Sequence, residues 1–409
     1  MQILMSAAGV GVVLLIAWLL STNRRAINLR TVGIAFALQA LLAAVVLYLP
    51  QGGAFLDRVV RGFQHVIDYG NAGIEFLFGP QIVPTLGVTI AFNVLPVIIF
   101  FAALMSLLYY LRIMPLFVGT VGGWLHRLLG TSEAESISAA SNIFVGHTDA
   151  PLVVRPYLAR MTESELFAVM TGGCATIAGG VMMAYATMGV ELKYLITASF
   201  MAAPGGLLMA KILVPETDEP LHIDAAARDE DVEQPINAFE AIGNGALTGL
   251  NIAASVGAML IAFVALIYMV NGLFGWVGSW FGFDGLTLQW LLGKLFAPIA
   301  FLLGVPWSEA ATAGSLIGQK FVINEFFAYL AFVEVRGELS PYTELVVTFA
   351  LCGFSNLGSI AILLGGLGAV IPKRRHDIAR LGLKAVVAGT LVNLMNAALA
   401  GFFFSLTAA

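Results

Sequence analysis

Charged residues are scarce in this chain of 409 residues. Asp, Glu, Lys and Arg make up only 11% of it, whereas 59% of the residues are hydrophobic, and the mean hydropathy is +0.91. A soluble domain of this composition could not cover its surface with polar groups. The composition therefore predicts a polytopic membrane protein.

Cysteines and catalytic motifs are also few. The two cysteines, Cys174 and Cys352, both lie in apolar segments, and two thiols make neither a disulfide framework nor a metal site, so we interpret them as small core residues. The sequences His-Glu-x-x-His and Gly-x-Ser-x-Gly and a phosphate-binding Walker loop are absent. Among enzymes, one alternative remains: an intramembrane hydrolase that pairs Ser141 or Thr148 with His147. A passive channel is a second alternative.

No basic residue precedes the first apolar run, Ile3–Ser21, and Asn-Arg-Arg follows it in place of a small-residue cleavage site. We therefore expect a retained span and not a signal peptide. The net charge of −5 comes largely from one acidic loop, 215–233, and with or without this loop the charge gives no reason to expect a nucleic-acid partner. The acidic residues of this loop are Glu216, Asp218, Glu219, Asp224, Asp229, Glu230, Asp231 and Glu233.

Eight apolar runs are long enough to cross a bilayer, which takes about 20 residues. They lie near 3–21, 31–50, 84–111, 163–190, 193–213, 244–275, 342–371 and 379–406. Basic residues follow the first, third and seventh runs, and all of them are cytoplasmic if the N-terminus is outside. These residues are Arg24, Arg25, Arg30, Arg112, Arg127, Lys373, Arg374 and Arg375. We expect a multi-pass protein of the bacterial inner membrane, in contact with lipid, with both termini in the periplasm.

Three segments between the spans are neither continuous apolar runs nor polar loops. In Asp57–Phe76, charged residues alternate with Val and Phe at helical spacing, which favours a helix that lies in the membrane interface. Segments 114–130 and 276–300 have a similar pattern. We expect interfacial helices at all three.

The stretch Ser141–Pro151 holds an amide, an imidazole, a hydroxyl and a carboxylate within a few residues. Ionisable groups at membrane depth cost at least ~2.5 kcal/mol, so they normally face a cavity, a partner or an ion path. The flanking segments, 132–144 and 152–160, are each too short to span. The pattern predicts a re-entrant hairpin, because irregular backbone survives in a membrane only where it lines protein or water.

The second half of the chain repeats the first. Ser132-Glu133-Ala134 follows a Leu-Leu-Gly sequence, as does Ser308-Glu309-Ala310, and each leads to a short arm and a polar tip. Thr162-Glu163 then precedes Gly172 by the same ten residues that separate Thr343-Glu344 from Gly353. By the span count, the first hairpin enters from the cytoplasm and the second from outside. Opposed units of this kind predict an inverted-repeat transporter with its substrate site near the midplane.

Small and polar residues interrupt the span after each hairpin, at 172–176 in the first repeat and at 353–359 in the second. We expect four polar patches to converge: the tips at Asn142–Asp149 and Gln319–Glu325, and the breaks at Thr176–Val181 and Phe354–Ser359. They offer carboxylates, amides and hydroxyls but few cations, which suits a neutral, hydroxyl-rich solute better than an anion. Unwound carbonyls and helix C-termini could hold a coupling cation.

Structural interpretations of the same residues remain open. Asn142 and Asn356 could simply tie helices together. Glu325 could be the buried partner of Lys320, and His147 could be a core histidine with satisfied hydrogen bonds. Glu133, Glu163, Glu309 and Glu344 could serve only as helix-start residues.

At these residues the chain resembles the concentrative nucleoside transporter family. Gly146-His147-Thr148-Asp149-Ala150-Pro151 resembles that family's Gly-Gln-Thr-Glu-Ala-Pro tip, and 174–179 resembles its fourth span. Residues 324–329 resemble its second hairpin, and 353–359 its seventh span. The resemblance covers roughly 85–409. It implies a homotrimer in which a transport domain built from both repeats moves against a scaffold of the other spans.

The resemblance also implies a role for individual residues. A nucleoside base would meet His147, Thr148, Asp149 and Val181, and the ribose would meet Glu325, Phe354, Asn356 and Ser359. A sodium ion would bind the side chains of Asn142 and Thr176 and the carbonyls of Val145 and Ile177. No further cofactor is implied.

The chain departs from the family at the base-binding tip. His147 stands where the family has Gln, and it adds a group that titrates near neutral pH. Asp149 stands for Glu and shortens the carboxylate by one methylene. Proton coupling is therefore an alternative to sodium coupling.

Together these observations predict an all-α polytopic protein with about eight spans, two opposed re-entrant hairpins and interfacial helices. Its function would be cation-coupled nucleoside import by alternating access. We divide the chain into scaffold spans with an interfacial helix (1–112), a first transport repeat (113–213), an acidic cytoplasmic loop (214–243), a scaffold span (244–275) and a second transport repeat (276–409).

Overall fold

The computed structural model describes residues 2–79, 89–146, 150–220, 235–283 and 285–407. All regular structure in these ranges is helical. Seven of the described helices are long and apolar enough to cross a membrane, and eight spans result if one sharply bent pair counts as a span. The all-α polytopic class is confirmed.

The first two helices are sparsely buried. Helices α1 (Gln2–Leu19) and α2 (Leu29–Leu47) have only four buried residues each. Helix α3 (Pro50–Phe78) contains the segment expected to be an interfacial helix, and Pro50 occupies its first turn, where proline removes no helical hydrogen bond. A π-helical turn then leads into α4 (Leu95–Tyr110).

The first hairpin follows α5 (Ile113–Leu129), which ends at Gly130 in the left-handed conformation (φ +68°). Its first arm is α6 (Glu133–Ser141), where Ser132 and Glu135 form a reciprocal capping box. Its second arm is a 3₁₀ turn at Ala150–Val154 and the short helix α7 (Arg155–Leu158).

The span after this hairpin is broken, as the sequence predicts. Helix α8 (Glu163–Ala175) stops, residues 176–178 are non-helical, and α9 (Gly179–Thr187) continues the crossing. Helix α10 (Leu192–Leu213) follows, and it is almost entirely buried. Helix α11 (Ala238–Ser279) has 42 residues and is mostly exposed.

The second hairpin enters through a bend of 115° between α12 (Leu288–Leu302) and α13 (Trp307–Val322). Gly304 makes this bend with φ +93°, and a side chain there would lie 2.8 Å from the Ser6 hydroxyl. The second arm is α14 (Glu325–Val335). The next span is again two helices, α15 (Pro341–Leu351) and α16 (Gly358–Val370), and α17 (Arg375–Thr407) completes the fold.

Two boundaries differ from expectation. The expected interfacial helix at 276–300 is wrong in part, because 276–279 are the last turn of α11 and the next helix starts only at Leu288. The first break starts at Thr176 and leaves Gly172 inside α8, whereas Gly353 lies within the second break. Gly172 serves close packing instead: a Cβ there would lie 3.1 Å from Nδ2 of Asn142.

Burial separates two groups of helices. Helices α8, α9, α10 and α17 are largely enclosed, whereas α1, α2 and α11 are more exposed, with less than a quarter of the residues in their spanning stretches buried. Helices α4 and α11 pack closely, because a Cβ on Gly249 would lie only 2.7 Å from the Cα of Ile99, and such small residues let helices approach in a membrane. The enclosed helices include both halves of the first broken span, α8 and α9.

Candidate functional site

The first hairpin tip lies against the first break. The amide of Gly179 donates to the carbonyl of Phe144 at 2.8 Å, and a Cβ on Gly146 would lie 3.2 Å from the Cβ of Ala178. The expected convergence of this tip and this break is therefore present. The three residues expected at the apex, His147, Thr148 and Asp149, lie outside the described residues.

Uncharged oxygens gather where α8 ends. Thr176 donates its hydroxyl to the carbonyl of Gly172 at 3.0 Å, and the amide of Asn142 lies beside the same glycine. The Asn142 amide donates to the carbonyl of Ser138, and its Oδ1 is buried without a hydrogen bond. Val145 and Ile177 lie in the adjoining non-helical backbone, where carbonyls are not used by a helix.

These groups fit a monovalent cation. The hydroxyls of Ser138, Ser141 and Thr171 are also buried without a hydrogen bond, and the last carbonyls of a helix carry partial negative charge. Among the described residues there is no cluster of three or more His, Cys, Asp or Glu side chains. The donor set therefore suits sodium and not a transition metal.

Glu325 is the buried acid of the second hairpin tip. Tyr185 of α9 donates its phenol hydroxyl to Oε1 at 3.2 Å, and Asn356 donates its amide to Oε2 at 3.1 Å. Both donors come from broken spans, one from each repeat. An ionised carboxylate accepts about four hydrogen bonds, so Glu325 can accept further donors from a ligand.

The second break is shaped by its own side chains. Oδ1 of Asn356 accepts from the amide of Ser359 at 3.0 Å, and the Ser359 hydroxyl donates to the carbonyl of Phe354. The amide of Leu357 donates to the carbonyl of Phe321 at 3.1 Å, which ties this break to the second hairpin. The Asn356 amide is thereby oriented toward Glu325.

The two breaks are in direct contact. The amide of Phe354 donates to the carbonyl of Thr176 at 3.0 Å. This bond joins a residue expected at the cation to one expected at the ribose. Of the twelve predicted site residues, the nine that are described lie on the first tip, the two breaks, the start of α9 and the second tip.

Lys320 is buried but does not pair with Glu325. No described carboxylate lies within 4.0 Å of its ammonium group, which instead donates to the carbonyl of Ala350 at 3.0 Å and to Oδ1 of Asn393. The alternative in which Glu325 is merely the ion-pair partner of Lys320 is therefore wrong. The Glu325 carboxylate is instead hydrogen-bonded to Tyr185 and Asn356.

A cavity of about 250 Å³ opens beside the first tip. Val145, Gly146 and Val181 line one wall, and α4 and α11 supply the other with Ser106 and Thr248 among their residues. Val181, one of the residues expected to meet a base, thus borders a space between the enclosed helices and α4 and α11.

Sequence comparison decides the family. Residues 194–401 match the model of the Na⁺-dependent nucleoside transporter C-terminus, residues 8–81 match that of its N-terminus, and residues 91–191 match a model described as nucleoside recognition. The chain belongs to the concentrative nucleoside transporter family. Members of this family are transporters and not enzymes, so the hydrolase alternative is excluded.

Other members of the concentrative nucleoside transporter family are similar along the whole chain. Nucleoside permease NupC of Helicobacter pylori is 52% identical over 417 residues, with 99% of each chain covered. Sodium/nucleoside cotransporter 1 of Rattus norvegicus is 37% identical over 98% of this chain and 64% of its own.

A solved structure of the family member CNTnw in an inward-facing substrate-bound state has 55% sequence identity and a TM-score of 0.95, and the match covers 100% of this chain and 99% of that one. CNTnw structures in an outward-facing and in an intermediate state match with TM-scores of 0.96 and 0.97. The inverted-repeat transporter fold is confirmed.

Two residues near the site were missed by reasoning from the sequence. Tyr185 lies one helical turn after Val181, and Asn393 lies in the middle of the last span. Asn393 carried a usable signal, since a polar side chain at membrane depth needs a reason. Tyr185 carried none, because tyrosine is common in apolar helices.

Proposed function

We propose that this chain is a sodium-coupled nucleoside importer that works by alternating access. The observation that carries the proposal is the hydrogen bond between Thr176 and Phe354. It joins a pocket of uncharged oxygens, suited to a cation, to a carboxylate and amide pair suited to a sugar. Relatives whose names include sodium and nucleoside agree with this combination.

The ribose binds at the second tip and second break. Glu325 accepts hydrogen bonds from ribose hydroxyls, and Asn356 donates the N–H that it does not give to Glu325. Ser359 holds Asn356 in place, and Phe354 covers an apolar edge of the sugar. The base lies toward Val181 and the apex residues His147, Thr148 and Asp149.

The sodium ion binds Asn142, Thr176 and the carbonyls of Val145 and Ile177. Its charge offsets the negative end of α8, and it gives Asn142 Oδ1 a partner that the described protein groups do not supply. Sodium binding orders the backbone next to Phe354 and so prepares the ribose side. This sequence of events couples the two ligands.

The enclosed helices and both hairpins form the moving transport domain, and the exposed helices form the scaffold. The cavity beside Val181 lies at the boundary between them. The scaffold assembles as a homotrimer through α11, whose apolar face is open in the single chain. The trimer lies in the bacterial inner membrane, with the basic loops in the cytoplasm.

Uptake of labelled uridine into proteoliposomes tests the proposal. An inward sodium gradient at equal pH should drive accumulation above the outside concentration, and Glu325→Ala and Asn356→Ala should abolish it while the protein stays folded. Accumulation driven only by a proton gradient would replace sodium with a proton, for which His147 is the residue to substitute. Flux that merely equilibrates under both gradients would reject coupled transport and favour a channel.

A further inference from the structure

Asn393 on α17 makes four side-chain hydrogen bonds, two with its nitrogen and two with its oxygen. Its Nδ2 donates to the carbonyls of Ala175 and Cys352, at 2.7 and 2.8 Å. Its Oδ1 accepts from the ammonium group of Lys320 and from the hydroxyl of Ser355, the latter at 2.9 Å. Since ammonium can only donate and a carbonyl can only accept, these partners fix the orientation of the amide.

The partners of this amide are the immediate neighbours of both ligand sites. Ala175 ends α8 and precedes Thr176, which is in the proposed cation pocket. Cys352 and Ser355 flank the start of the second break, and Ser355 precedes Asn356, which is on the ribose side. The Asn393 side chain thus connects the two breaks.

The surrounding backbone is packed tightly onto this amide. A Cβ on Gly353 would lie 2.6 Å from Nδ2 of Asn393 and 2.7 Å from the carbonyl of Ala175. Asn393 itself is fully buried. Neither break can shift alone without leaving a buried polar group of the amide unpaired, which costs roughly 1–3 kcal/mol for each group.

We infer that Asn393 is the positioning residue that couples sodium binding to nucleoside binding. When the cation orders the end of α8, the Asn393 side chain, which is bonded to Ala175, also holds Cys352 and Ser355 in place. The hydrogen bond between Thr176 and Phe354 links the same two breaks directly. Lys320 supports the amide by fixing its oxygen. None of the four hydrogen-bond partners of Asn393 is a proposed ligand contact, so Asn393 acts on the coupling between the ligands and not on the contacts of either. The inference rests on the proposed function.

The test measures uridine affinity for the detergent-solubilised full chain in sodium and in choline. In the wild type, sodium should raise the affinity by at least about fivefold, the lower range of typical allosteric couplings. In Asn393→Leu the ratio of the two affinities should fall below about twofold. Asn393→Ser is a second variant for the case in which Asn393→Leu does not fold, because its short hydroxyl cannot reach both breaks.

Asn396 provides the matched control. It lies one turn further along α17, is equally buried, and accepts from Gln39 and donates to the carbonyl of Ala198, neither of which belongs to a break. Asn396→Leu should retain the wild-type ratio. If sodium raised uridine affinity equally in the wild type and in the Asn393 variants, the inference would be overturned and the proposed function would stand. A wild type whose uridine affinity ignores sodium would overturn both the inference and the proposed function.

Discussion

The phenol of Tyr185 donates to Oε1 of Glu325 across 3.2 Å, although the two residues are 140 positions apart in the chain. Tyr185 is in the broken span of the first repeat, and Glu325 is at the hairpin tip of the second. The bond therefore crosses the boundary between the repeats. It holds one carboxylate oxygen while Asn356 holds the other.

Tyr185→Phe should weaken the binding of ribonucleosides. The variant removes a hydrogen bond to a charged group, which contributes about 1.5 kcal/mol or more, so uridine affinity should fall roughly tenfold. 2′,3′-Dideoxyuridine lacks the hydroxyls proposed to meet Glu325, so its affinity should change little. Competition for uptake of labelled uridine measures both.

Tyr329→Phe is the control for this variant. Tyr329 is also buried, and its ring lies 4.5 Å from that of Tyr185, but its hydroxyl donates to the carbonyl of Thr348. It should leave the ratio of the two affinities unchanged. An equal loss for uridine and its dideoxy analogue in Tyr185→Phe would remove the assignment of Glu325 to the sugar.

Asn142→Ala and Thr176→Val should raise the sodium concentration needed for half-maximal uptake. Each removes one oxygen from the proposed cation pocket, and a loss of about 1.4 kcal/mol corresponds to a tenfold rise. At saturating sodium, uridine affinity should recover to near the wild-type value. A sodium titration of uptake provides the measurement.

Thr197→Val is the matched control for Thr176→Val. Thr197 is buried and donates to a carbonyl four residues earlier, as Thr176 does, but it lies on α10. Its sodium dependence should match the wild type. If both threonine variants behaved alike, the pocket at the end of α8 would not be the cation site.

Lys211→Met should destabilise the protein strongly. The Lys211 ammonium lies 2.8 Å from Glu135 and 3.3 Å from Glu216, and the Glu135 carboxylate is almost completely buried. Breaking such a pair leaves a buried charge without a partner, at a cost of roughly 3–5 kcal/mol. Thermal unfolding in detergent should show the loss, and adding Glu135→Gln should restore part of it.

Lys193→Met is the surface counterpart. Its ion pair with Asp57 spans 3.4 Å, and both side chains are partly exposed. Exposed pairs contribute about 0–1 kcal/mol, so the melting temperature should hardly move. If both lysine variants lowered the melting temperature by a similar amount, the buried pair would not stabilise the protein more than the exposed one.

Gly353→Ala should abolish uptake, because the added methyl group meets the Asn393 amide and the Ala175 carbonyl. Gly365→Ala is its control within α16. A Cβ there meets nothing within 4 Å, and alanine favours a helix over glycine by about 1 kcal/mol, so this variant should be active and no less stable. Normal uptake by Gly353→Ala would contradict the packing of the second break.

The sequence was sufficient for the architecture. Polar residues that interrupt apolar runs predicted both hairpins and both broken spans, because a membrane tolerates few other arrangements. The spacing from Thr162-Glu163 to Gly172 and from Thr343-Glu344 to Gly353 revealed the repeat. The same alignment misplaced the first break, because glycine at 172 serves helix packing and its spacing says nothing about where hydrogen bonding stops.

The detailed site depends on contacts that no local pattern encodes. Lys320 and Glu325 are close in sequence, which suggested a pair, yet Lys320 turns to Asn393, 73 positions away. Tyr185 reaches Glu325 only because the two repeats pack against each other. Residue types thus predicted the kind of site, and the folded chain supplied the partners.

Helix α11 brings the thickness of the lipid into the mechanism. Its 42 residues extend about 63 Å at 1.5 Å per residue, roughly twice the ~30 Å of a hydrocarbon core. It must lean steeply or project beyond the acyl chains, and the angle it takes follows the membrane around it. Because α11 forms a wall of the cavity beside Val181, we expect bilayers of different thickness to tilt that wall differently and so to alter the rate of transport.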